Sequence, residues 1–352
     1  MRGGQIRAAK VDMETVAECP LCRASLAAAR PTWLVAGWSI VSCPRCKAGV
    51  TTPRPTLDEI GAFYRPSFFL VRPDAKLFPT FHTILRRQLK PALGMTTIRS
   101  IVLNEIKYRH DWTLQGGALR PRLLAPLRWL LALAYEPVQA LPGRPGAVLD
   151  IGFGRGEFLL RAKRLGWQCH GVEVSATSVD WGRELGFQVQ QFDGSFSRPL
   201  DYPDATFDLI SANSVLEHVH HPRRLVEESR RLLKRGGKIL IMVPNYECQD
   251  TRLLGEHWRM WSPPQHLFHF TAGNVRSLLQ EHGFHDIKVR YKLWFNPITE
   301  KLSLKSLRPT VTRARYRQIA WQLRVGKRLD FLRGRLAAAQ VAPGMAIEAV
   351  KD

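Results

Sequence analysis

The sequence predicts an α/β protein with a Rossmann-like, largely parallel sheet, and three observations support that fold class. An apolar strand over Ala147–Ile151 runs into three alternating glycines, Gly152, Gly154 and Gly156. An amphipathic helix follows, and a second apolar strand ends on Glu173, about twenty residues beyond the glycines. A strand, a glycine turn, a helix and a strand that ends on an acid form a βαβ unit that binds an adenosyl ligand.

The spacing of the glycines and the residue before them indicate which adenosyl ligand is bound. A nicotinamide fingerprint reads G-x-G-x-x-G and admits a pyrophosphate, whereas this chain reads G-x-G-x-G. Asp150 precedes the glycines, and its carboxylate repels a pyrophosphate but suits a ligand that carries an ammonium group. S-adenosylmethionine has a sulfonium and an ammonium, and its carboxylate can use the helix N-terminus. These features favour S-adenosylmethionine and disfavour a nicotinamide-dependent oxidoreductase.

The stretch Val148–Glu173 resembles motif I and the acidic end of the second strand in class I methyltransferases. This resemblance implies a seven-stranded, Rossmann-like methyltransferase sheet. Asp193 and Gly194 follow the third predicted strand, where the family's acid accepts a hydrogen bond from the adenine amine; the alternative is a plain turn aspartate. Asn213 lies at the end of the fourth strand. The implied cofactor-binding residues are Asp150, Gly152, Phe153, Gly154, Gly156, Glu173, Asp193, Gly194 and Asn213.

Two histidines are candidates for the acceptor side of the site. The run Ser214–Pro222 resembles the family's "vlEHvxxP", and His218 within it suits a general base, because an unperturbed imidazole titrates near neutrality. The alternative is a histidine that pins the loop to the sheet. The run Trp258–Phe270 resembles the family's "W…P-x-H-L-x-x-F", which closes over the acceptor. His266 and Trp258 are therefore acceptor-side candidates, and the alternative is a hydrophobic plug against the fifth strand.

Two C-x-x-C knuckles stand near the start of the sequence, separated by about twenty residues. That spacing is typical of a structural zinc site, and a closed tetrahedron of four thiolates leaves no open position for catalysis. The alternative is four free thiols in a reduced loop. We expect one structural zinc ion and ribbon strands between the knuckles. Its predicted ligands are Cys19, Cys22, Cys43 and Cys46.

The segment after the ribbon narrows the resemblance. Residues 53–64 read P-R-P-T-L-D-E-I-G-A-F-Y. Together with the ribbon, this run resembles a set of bacterial methyltransferases that carry an N-terminal zinc ribbon and modify sugars, glycoconjugates or natural products. The resemblance implies O- or C-methylation of a small-molecule, sugar or lipid-linked acceptor.

The charge of the chain indicates an anionic partner. The 352 residues carry a net charge of +22, and two segments hold most of it: residues 71–145 net +8 and residues 296–340 net +9. Such a field attracts nucleic acid, an acidic lipid surface or a phosphorylated substrate. The apolar run Leu123–Tyr135 in the first segment suits an interfacial position, so we expect an anionic membrane surface rather than nucleic acid. The alternative is a pair of helical segments with solvated arginines.

These patterns divide the chain into three parts. We predict a zinc ribbon and linker over 1–60, a basic helical segment over 61–143, and a methyltransferase domain over 144–352 with a basic helical insertion at about 296–340. No apolar run reaches the roughly eighteen residues of a spanning helix, and no signal-peptide pattern opens the chain. We therefore expect a cytoplasmic protein, with peripheral association at the inner membrane surface as an option.

The expected function is S-adenosylmethionine-dependent methyl transfer, which depends mainly on positioning the acceptor against the methyl group. A base is needed only for a hydroxyl or an acidic carbon. An RNA methyltransferase is the alternative, although the fourth strand ends in S-A-N-S rather than the N/D-P-P-Y that stacks a base. A non-catalytic zinc and membrane adaptor that retains the fold is the alternative from another class.

Overall fold

The computed structural model describes residues 11–63, 141, 144–292, 297–326, 329, 340 and 342–352. In chain order, its strands are β1 Met13–Glu14, β2 Pro31–Val35, β3 Trp38–Ser42, β4 Gly49–Thr51, β5 Arg54–Pro55, β6 Ala147–Ile151, β7 Gln168–Glu173, β8 Gln188–Gln191, β9 Phe207–Asn213, β10 Leu233–Pro244, β11 Phe268–His269, β12 Phe284–Lys292 and β13 Gly344–Lys351. Its α-helices are α1 Glu157–Arg164, α2 Ala176–Glu184, α3 Pro222–Leu232, α4 Gln249–Leu254, α5 Ala272–Glu281, α6 Pro297–Leu307 and α7 Arg313–Trp321. Short 3₁₀ turns cover Ile60–Phe63, Gly255–His257 and Arg259–Trp261, and a π-helical turn covers Gln322–Gly326.

The main sheet has seven strands in the order β12-β13-β10-β9-β6-β7-β8. Strands β10, β9, β6, β7 and β8 run parallel, and β13 lies antiparallel to both of its neighbours. Counted from β6 as the first strand, the order is 3-2-1-4-5-7-6 with the seventh strand reversed, as in class I methyltransferases. The predicted fold class is confirmed.

The centre of this sheet positions the ligand-binding edge. All five residues of β6 are buried, which explains why this strand is uniformly apolar apart from its acid. The chain order of the strands reverses between β6 and β9, and ligands of open α/β sheets bind in the crevice at such a switch point. Asp150 and Asn213, at the carboxyl ends of these two strands, therefore face the crevice together.

The ribbon does not form a sheet of its own. Strands β2, β3 and β4 form an antiparallel meander, and β11 adds to its edge through the register pairs Phe268↔Val50 and His269↔Gly49. This fourth strand comes from the segment after the central strands of the main sheet. The boundary predicted at residue 60 stays a prediction, and ribbon strands and residues of the later segment share one sheet.

The first basic segment, with the run Leu123–Tyr135, lies outside the described residues. The second is described in part, and its helices α6 and α7 stand between β12 and β13, where the insertion was predicted. These helices bury apolar side chains, such as Leu304 of α6 and Ile319 of α7, in a second core. That core also holds Val35 of the ribbon and Trp261. Among the helices of the described ranges, none is both long and apolar enough to cross a membrane.

Candidate active site

The glycine loop brings backbone to the carboxyl end of β6. Gly152 has a φ of 66°, in the left-handed region that favours glycine. A Cβ placed at this position would lie 2.7 Å from Cγ2 of Val215, so the loop also lacks room for a side chain. Gly156 caps α1 with a φ of 74°, which directs the first amides of the helix toward the loop.

Glu173 fixes the loop from the end of β7. Its buried carboxylate accepts a hydrogen bond from the Gly154 amide (2.9 Å) through Oε2 and from the Val174 amide (2.7 Å) through Oε1. A carboxylate has about four lone-pair sites, so acceptor capacity remains for ribose hydroxyls. The structure therefore brings Glu173 to the predicted place, and its contact with the cofactor stays a prediction.

A hydrogen-bonded chain of side chains connects Asp150 to Asn213. Ser211 Oγ donates to Asp150 Oδ1 at 2.7 Å, and Asn213 Nδ2 donates to Ser211 Oγ at 2.8 Å. The pKa of Asp150 is raised to about 7, chiefly by burial and to a smaller extent by the nearby Glu173, while the hydrogen bond from the Ser211 hydroxyl acts in the opposite direction. A cation bound beside this carboxylate would favour its charged form. Sequence reasoning did not single out Ser211, whose only signal is its place two residues before the strand end.

Phe153 and Asp193, two of the predicted cofactor-binding residues, use their side chains for contacts within the protein. The Phe153 ring is buried between β7 and α2, where a Cβ on Gly171 would lie 2.6 Å from it and a Cβ on Gly182 3.0 Å. Phe153 therefore contributes backbone to the loop and its ring to the core. Asp193 is exposed, and its Oδ1 accepts bonds from the amide (2.8 Å) and hydroxyl (2.7 Å) of Ser195. These bonds lower the Asp193 pKa, as expected for a turn aspartate.

Gly194 places that turn beside the end of β7. Its φ is 76°, and a Cβ there would lie 3.1 Å from Cγ1 of Val174, the residue directly after Glu173. The predicted adenine-side pair, Asp193 and Gly194, is thus adjacent to the predicted ribose-side acid. The structure brings together the residues from β6, β7, β8 and β9 at one edge of the sheet.

The two predicted acceptor-side histidines, His218 and His266, form one cluster with Glu217. One ligand atom each from Glu217, His218 and His266 lies within 4.8 Å of the others. The two imidazole rings meet edge to face, with centroids 4.6 Å apart. Glu217 precedes His218 in the matched "vlEHv" run, so the sequence carried a signal for it.

Each histidine of this cluster is held through Nδ1. His218 Nδ1 lies 2.9 Å from the carbonyl oxygen of Gln265, and His266 Nδ1 lies 2.8 Å from that of Met260. A carbonyl only accepts, so each Nδ1 carries the hydrogen and each Nε2 carries a lone pair. Both rings are thereby fixed in one tautomer and one orientation.

Burial leaves the cluster uncharged near neutral pH. It lowers the pKa of His218 to about 4 and that of His266 well below its ordinary value, and it raises the pKa of Glu217 to about 8. A base with a pKa near 4 is a poor match for proton abstraction at neutral pH. The structure brings His218 against His266, and its place on the acceptor side and its use as a general base both stay predictions.

Trp258 lies in the second core rather than in a crevice. Its side chain is buried and meets Trp261 edge to face, with centroids 5.2 Å apart. Trp261 in turn contacts Trp33 of the ribbon at 5.5 Å. At these positions the aromatic run acts as a plug between the ribbon and the main domain.

The four predicted zinc ligands converge on one point. The sulfurs of Cys19 and Cys46 lie 3.7 Å apart and those of Cys22 and Cys43 3.5 Å apart. Sulfurs about 2.3 Å from one tetrahedral zinc ion are separated by roughly 3.8 Å, so the four thiols fit that ion.

The two knuckles have the same backbone. The residue after the second cysteine is left-handed in both, with φ 61° at Arg23 and φ 62° at Lys47. Its amide donates to the carbonyl of the first cysteine, at 2.8 Å in the first knuckle and 3.0 Å in the second. This repeated turn aims two thiols at the same point in each knuckle, which supports a metal site over unrelated thiols.

The ribbon contacts the segment that carries His266. Thr51 Oγ1 donates to the His266 carbonyl at 2.9 Å, and the Thr51 amide donates to the Leu267 carbonyl at 3.0 Å. From the other side, the Leu267 amide donates to the Glu217 carbonyl at 2.8 Å. The segment is therefore held between β4 and the loop after β9, so the ribbon helps to position one of the three members of the cluster, His266.

Comparison with known proteins finds similarity to methyltransferases over the part of the chain that contains the glycine loop and most of the main sheet. Residues 120–289 match the family model described as a methyltransferase domain. A ubiquinone biosynthesis O-methyltransferase of Maricaulis maris is 28% identical over 167 residues, which is 45% of this chain and 65% of the relative. An uncharacterized protein of Methanocaldococcus jannaschii is 31% identical over 143 residues, which is 41% of this chain and 66% of the relative. The chain thus spans less than two thirds of the length of either relative.

Solved structures of methyltransferases are similar to this chain at low sequence identity. A methyltransferase from Archaeoglobus fulgidus that depends on S-adenosylmethionine is 21% identical, covers 72% of this chain and 99% of its own, and superposes with a TM-score of 0.41.

Proposed function

We propose, from the premise that this chain carries a class I S-adenosylmethionine-dependent methyltransferase domain, that it methylates an oxygen or carbon of a small-molecule, sugar or lipid-linked acceptor. The observation that carries the proposal is the edge formed by the glycine loop, Asp150 and Glu173 at the switch point of the sheet. Backbone amides, a buried carboxylate and a second acid at this edge suit the carboxylate, ammonium and ribose of the cofactor.

Two observations support a small acceptor over RNA. Strand β9 ends in the run S-A-N-S, which differs from the N/D-P-P-Y motif that stacks a base. The Asn213 side chain in this run donates a hydrogen bond to Ser211. The relative from Maricaulis maris is named for O-methylation in ubiquinone biosynthesis, which favours an oxygen nucleophile. We propose that the acceptor enters on the side of His218 and His266, opposite the adenine turn.

We also propose that the four cysteines hold a structural zinc ion. The convergent sulfurs and the repeated knuckle turns support this assignment. The ion would close the ribbon and, through Thr51, hold the His266 segment in place. It supplies no open coordination position, so its contribution is to structure.

Calorimetric titration of the full chain with S-adenosylhomocysteine and with NAD tests the cofactor assignment. We expect saturable binding of S-adenosylhomocysteine and none of NAD, and we expect Gly152→Arg to weaken the binding of S-adenosylhomocysteine by on the order of a hundredfold. Gly61→Arg is the matched control, because Gly61 is exposed and a Cβ there meets nothing within 4 Å. Binding of NAD alone would refute the proposal. Turnover of labelled S-adenosylmethionine against panels of phenols, sugars and lipid-linked glycans then identifies the acceptor.

An anionic membrane surface is the partner that we propose for the basic insertion. On α7, Arg313, Arg315 and Arg317 are exposed, and the large apolar side chains of Trp321 (54% exposed) and Val325 (42% exposed) follow them. Cationic residues beside an exposed tryptophan suit the interface of an acidic bilayer. Among the described residues of the insertion, Trp321 is the one exposed large aromatic side chain, which is thin for a platform that stacks RNA bases.

Co-sedimentation with vesicles of acidic and of neutral lipids, with a structured RNA as competitor, tests this partner. We expect binding to acidic vesicles that falls with salt and with Trp321→Ser. Leu34→Ser is the control, because Leu34 is an equally exposed apolar residue (59%) on the ribbon. Tight RNA binding without vesicle binding would favour the RNA methyltransferase alternative.

A further inference from the structure

Methyl transfer to a small acceptor leaves one buried group unexplained. Both carboxylate oxygens of Glu217 are buried, and neither has a hydrogen-bond partner among the described residues. The side chain as a whole is 1% exposed. Burying a carboxyl group without partners is costly, and such groups in native proteins call for a specific explanation.

The neighbours of Glu217 are two histidines already oriented as ligands. His218 Nδ1 donates a hydrogen bond to the carbonyl oxygen of Gln265 at 2.9 Å. His266 Nδ1 donates to that of Met260 at 2.8 Å. Histidines that bind metals are commonly held in this way, because the second hydrogen bond fixes the tautomer and aims the other nitrogen. The pattern occurs at both histidines, which come from different loops.

The spacing of the three groups fits one ion. Their ligand atoms lie within 4.8 Å of one another. Ligand atoms about 2.1 Å from a tetrahedral ion lie roughly 3.5 Å apart, so small side-chain rotations close the cluster. Two imidazoles and one carboxylate suit a divalent first-row transition metal and leave coordination positions open.

We propose that Glu217, His218 and His266 bind a divalent transition-metal ion, separate from the zinc of the ribbon. The inference rests on the proposed function and deepens it. With the acceptor entering on the side of His218 and His266, as proposed above, open positions on the ion would bind an oxygen of the acceptor, so the acceptor class is a hydroxyl compound, such as a phenol, an enol or a vicinal diol. The buried carboxylate then balances the charge of the ion.

Cobalt substitution in the full chain tests the site without any turnover. After removal of bound metals, we expect Co²⁺ titration to saturate at two equivalents. One equivalent, on four thiolates, gives intense sulfur-to-cobalt charge-transfer absorption. The other, on nitrogen and oxygen donors, gives only weaker visible bands. Cys43→Ser should remove the first signal, and Glu217→Gln or His266→Ala should remove the second and keep the first.

His282→Asn is the matched control. His282 is also buried, bonds through Nδ1 to a carbonyl (2.7 Å), and lies 3.2 Å from a glutamate, Glu227, but no third ligand joins that pair among the described residues. This variant should retain both equivalents. A wild-type protein that binds only the thiolate-type equivalent would overturn the inference, as would a folded Glu217→Gln and His266→Ala pair that binds cobalt like the wild type.

Binding of S-adenosylhomocysteine separates this inference from the proposed function. Cofactor binding in every folded variant, without a second metal equivalent, removes the metal site and leaves methyl transfer intact. Two cobalt equivalents without any cofactor binding support the metal site and remove the proposed function.

Discussion

The proposed cofactor edge and the proposed acceptor side of this protein are built in different ways. The cofactor edge is formed by strands that follow one another in the chain. Its side-chain hydrogen bond with the greatest sequence separation joins Ser211 to Asp150, which are 61 residues apart. The acceptor side depends on Thr51 and His266, which are 215 apart. One end of the crevice is therefore a property of a local motif, and the other is a property of the whole chain.

This difference indicates that cofactor binding and the histidine cluster can be altered independently of each other. Changes in the ribbon should reach the histidine cluster through Thr51 and leave the glycine loop untouched. Changes in the glycine loop should remove the cofactor and leave both proposed metal sites loaded.

The largest effect should come from Cys43→Ser. We expect loss of one zinc equivalent and of roughly 3 kcal/mol or more of unfolding free energy, since the binding energy of a structural zinc contributes to folding. Metal analysis and thermal unfolding check this, and the remaining folded protein should still bind S-adenosylhomocysteine. Cys169→Ser, at a buried cysteine near the start of β7, is the control and should retain its zinc. An unchanged zinc content in Cys43→Ser would contradict the assignment.

Gly152→Arg should weaken S-adenosylhomocysteine binding by on the order of a hundredfold, or about 2.7 kcal/mol. The left-handed backbone and the contact with Val215 leave no place for the side chain. Cobalt binding at both sites should be unchanged, which calorimetry and absorption spectra measure on the same sample. A variant that loses cofactor and metals together would show that the two ends are not separable.

Cofactor affinity should fall as the pH drops below about 7. The Asp150 carboxyl has a pKa of about 7, its neighbour Glu173 carries like charge, and a cationic ligand binds the deprotonated form. Affinity is then highest above pH 7 and about tenfold weaker at pH 6, if protonation removes binding. Titrations from pH 6 to 8 measure the slope. Asp150→Asn should bind weakly and without this slope; an equal slope in the variant would assign the proton to another group.

Thr51→Val should have the smallest effect. It removes a hydroxyl that donates to the His266 carbonyl, and a bond of this kind contributes about 1 kcal/mol. Urea unfolding should report that loss, with cofactor affinity unchanged. Thr206→Val is the control, since Thr206 makes a similar bond (2.7 Å) to a carbonyl in an exposed loop. A larger change in cofactor affinity than in the free energy of unfolding would contradict this prediction, because it would couple the ribbon to the glycine loop rather than to the histidine cluster.

The cofactor edge was predictable because its determinants are local. The structure has the predicted strand over Ala147–Ile151 and the predicted strand end at Glu173. An apolar run, three glycines and an acid at fixed spacing are specific for this strand–turn–helix–strand unit. The convergence of the cysteines was predictable for the same reason. The direction of the Phe153 ring was not, because the small neighbours that make room for it, Gly171 and Gly182, lie on other elements.

The acceptor side was only partly predictable. Strand β11 has two residues, too few for any periodicity, and its partner strand stands more than two hundred residues earlier. Burial of Glu217 follows from the packing of segments that are distant in sequence. A motif located His218 and His266, but only the fold shows that they meet.

The strand pairing between β4 and β11 also affects the order of synthesis. Because β4 is made long before β11, the edge of the ribbon meander stays unpaired while some 215 residues are added. At about 5 to 20 residues per second, that interval is roughly 10 to 40 seconds. An exposed strand edge is a template for pairing with other chains, so the nascent protein is most prone to aggregate before β11 closes that edge.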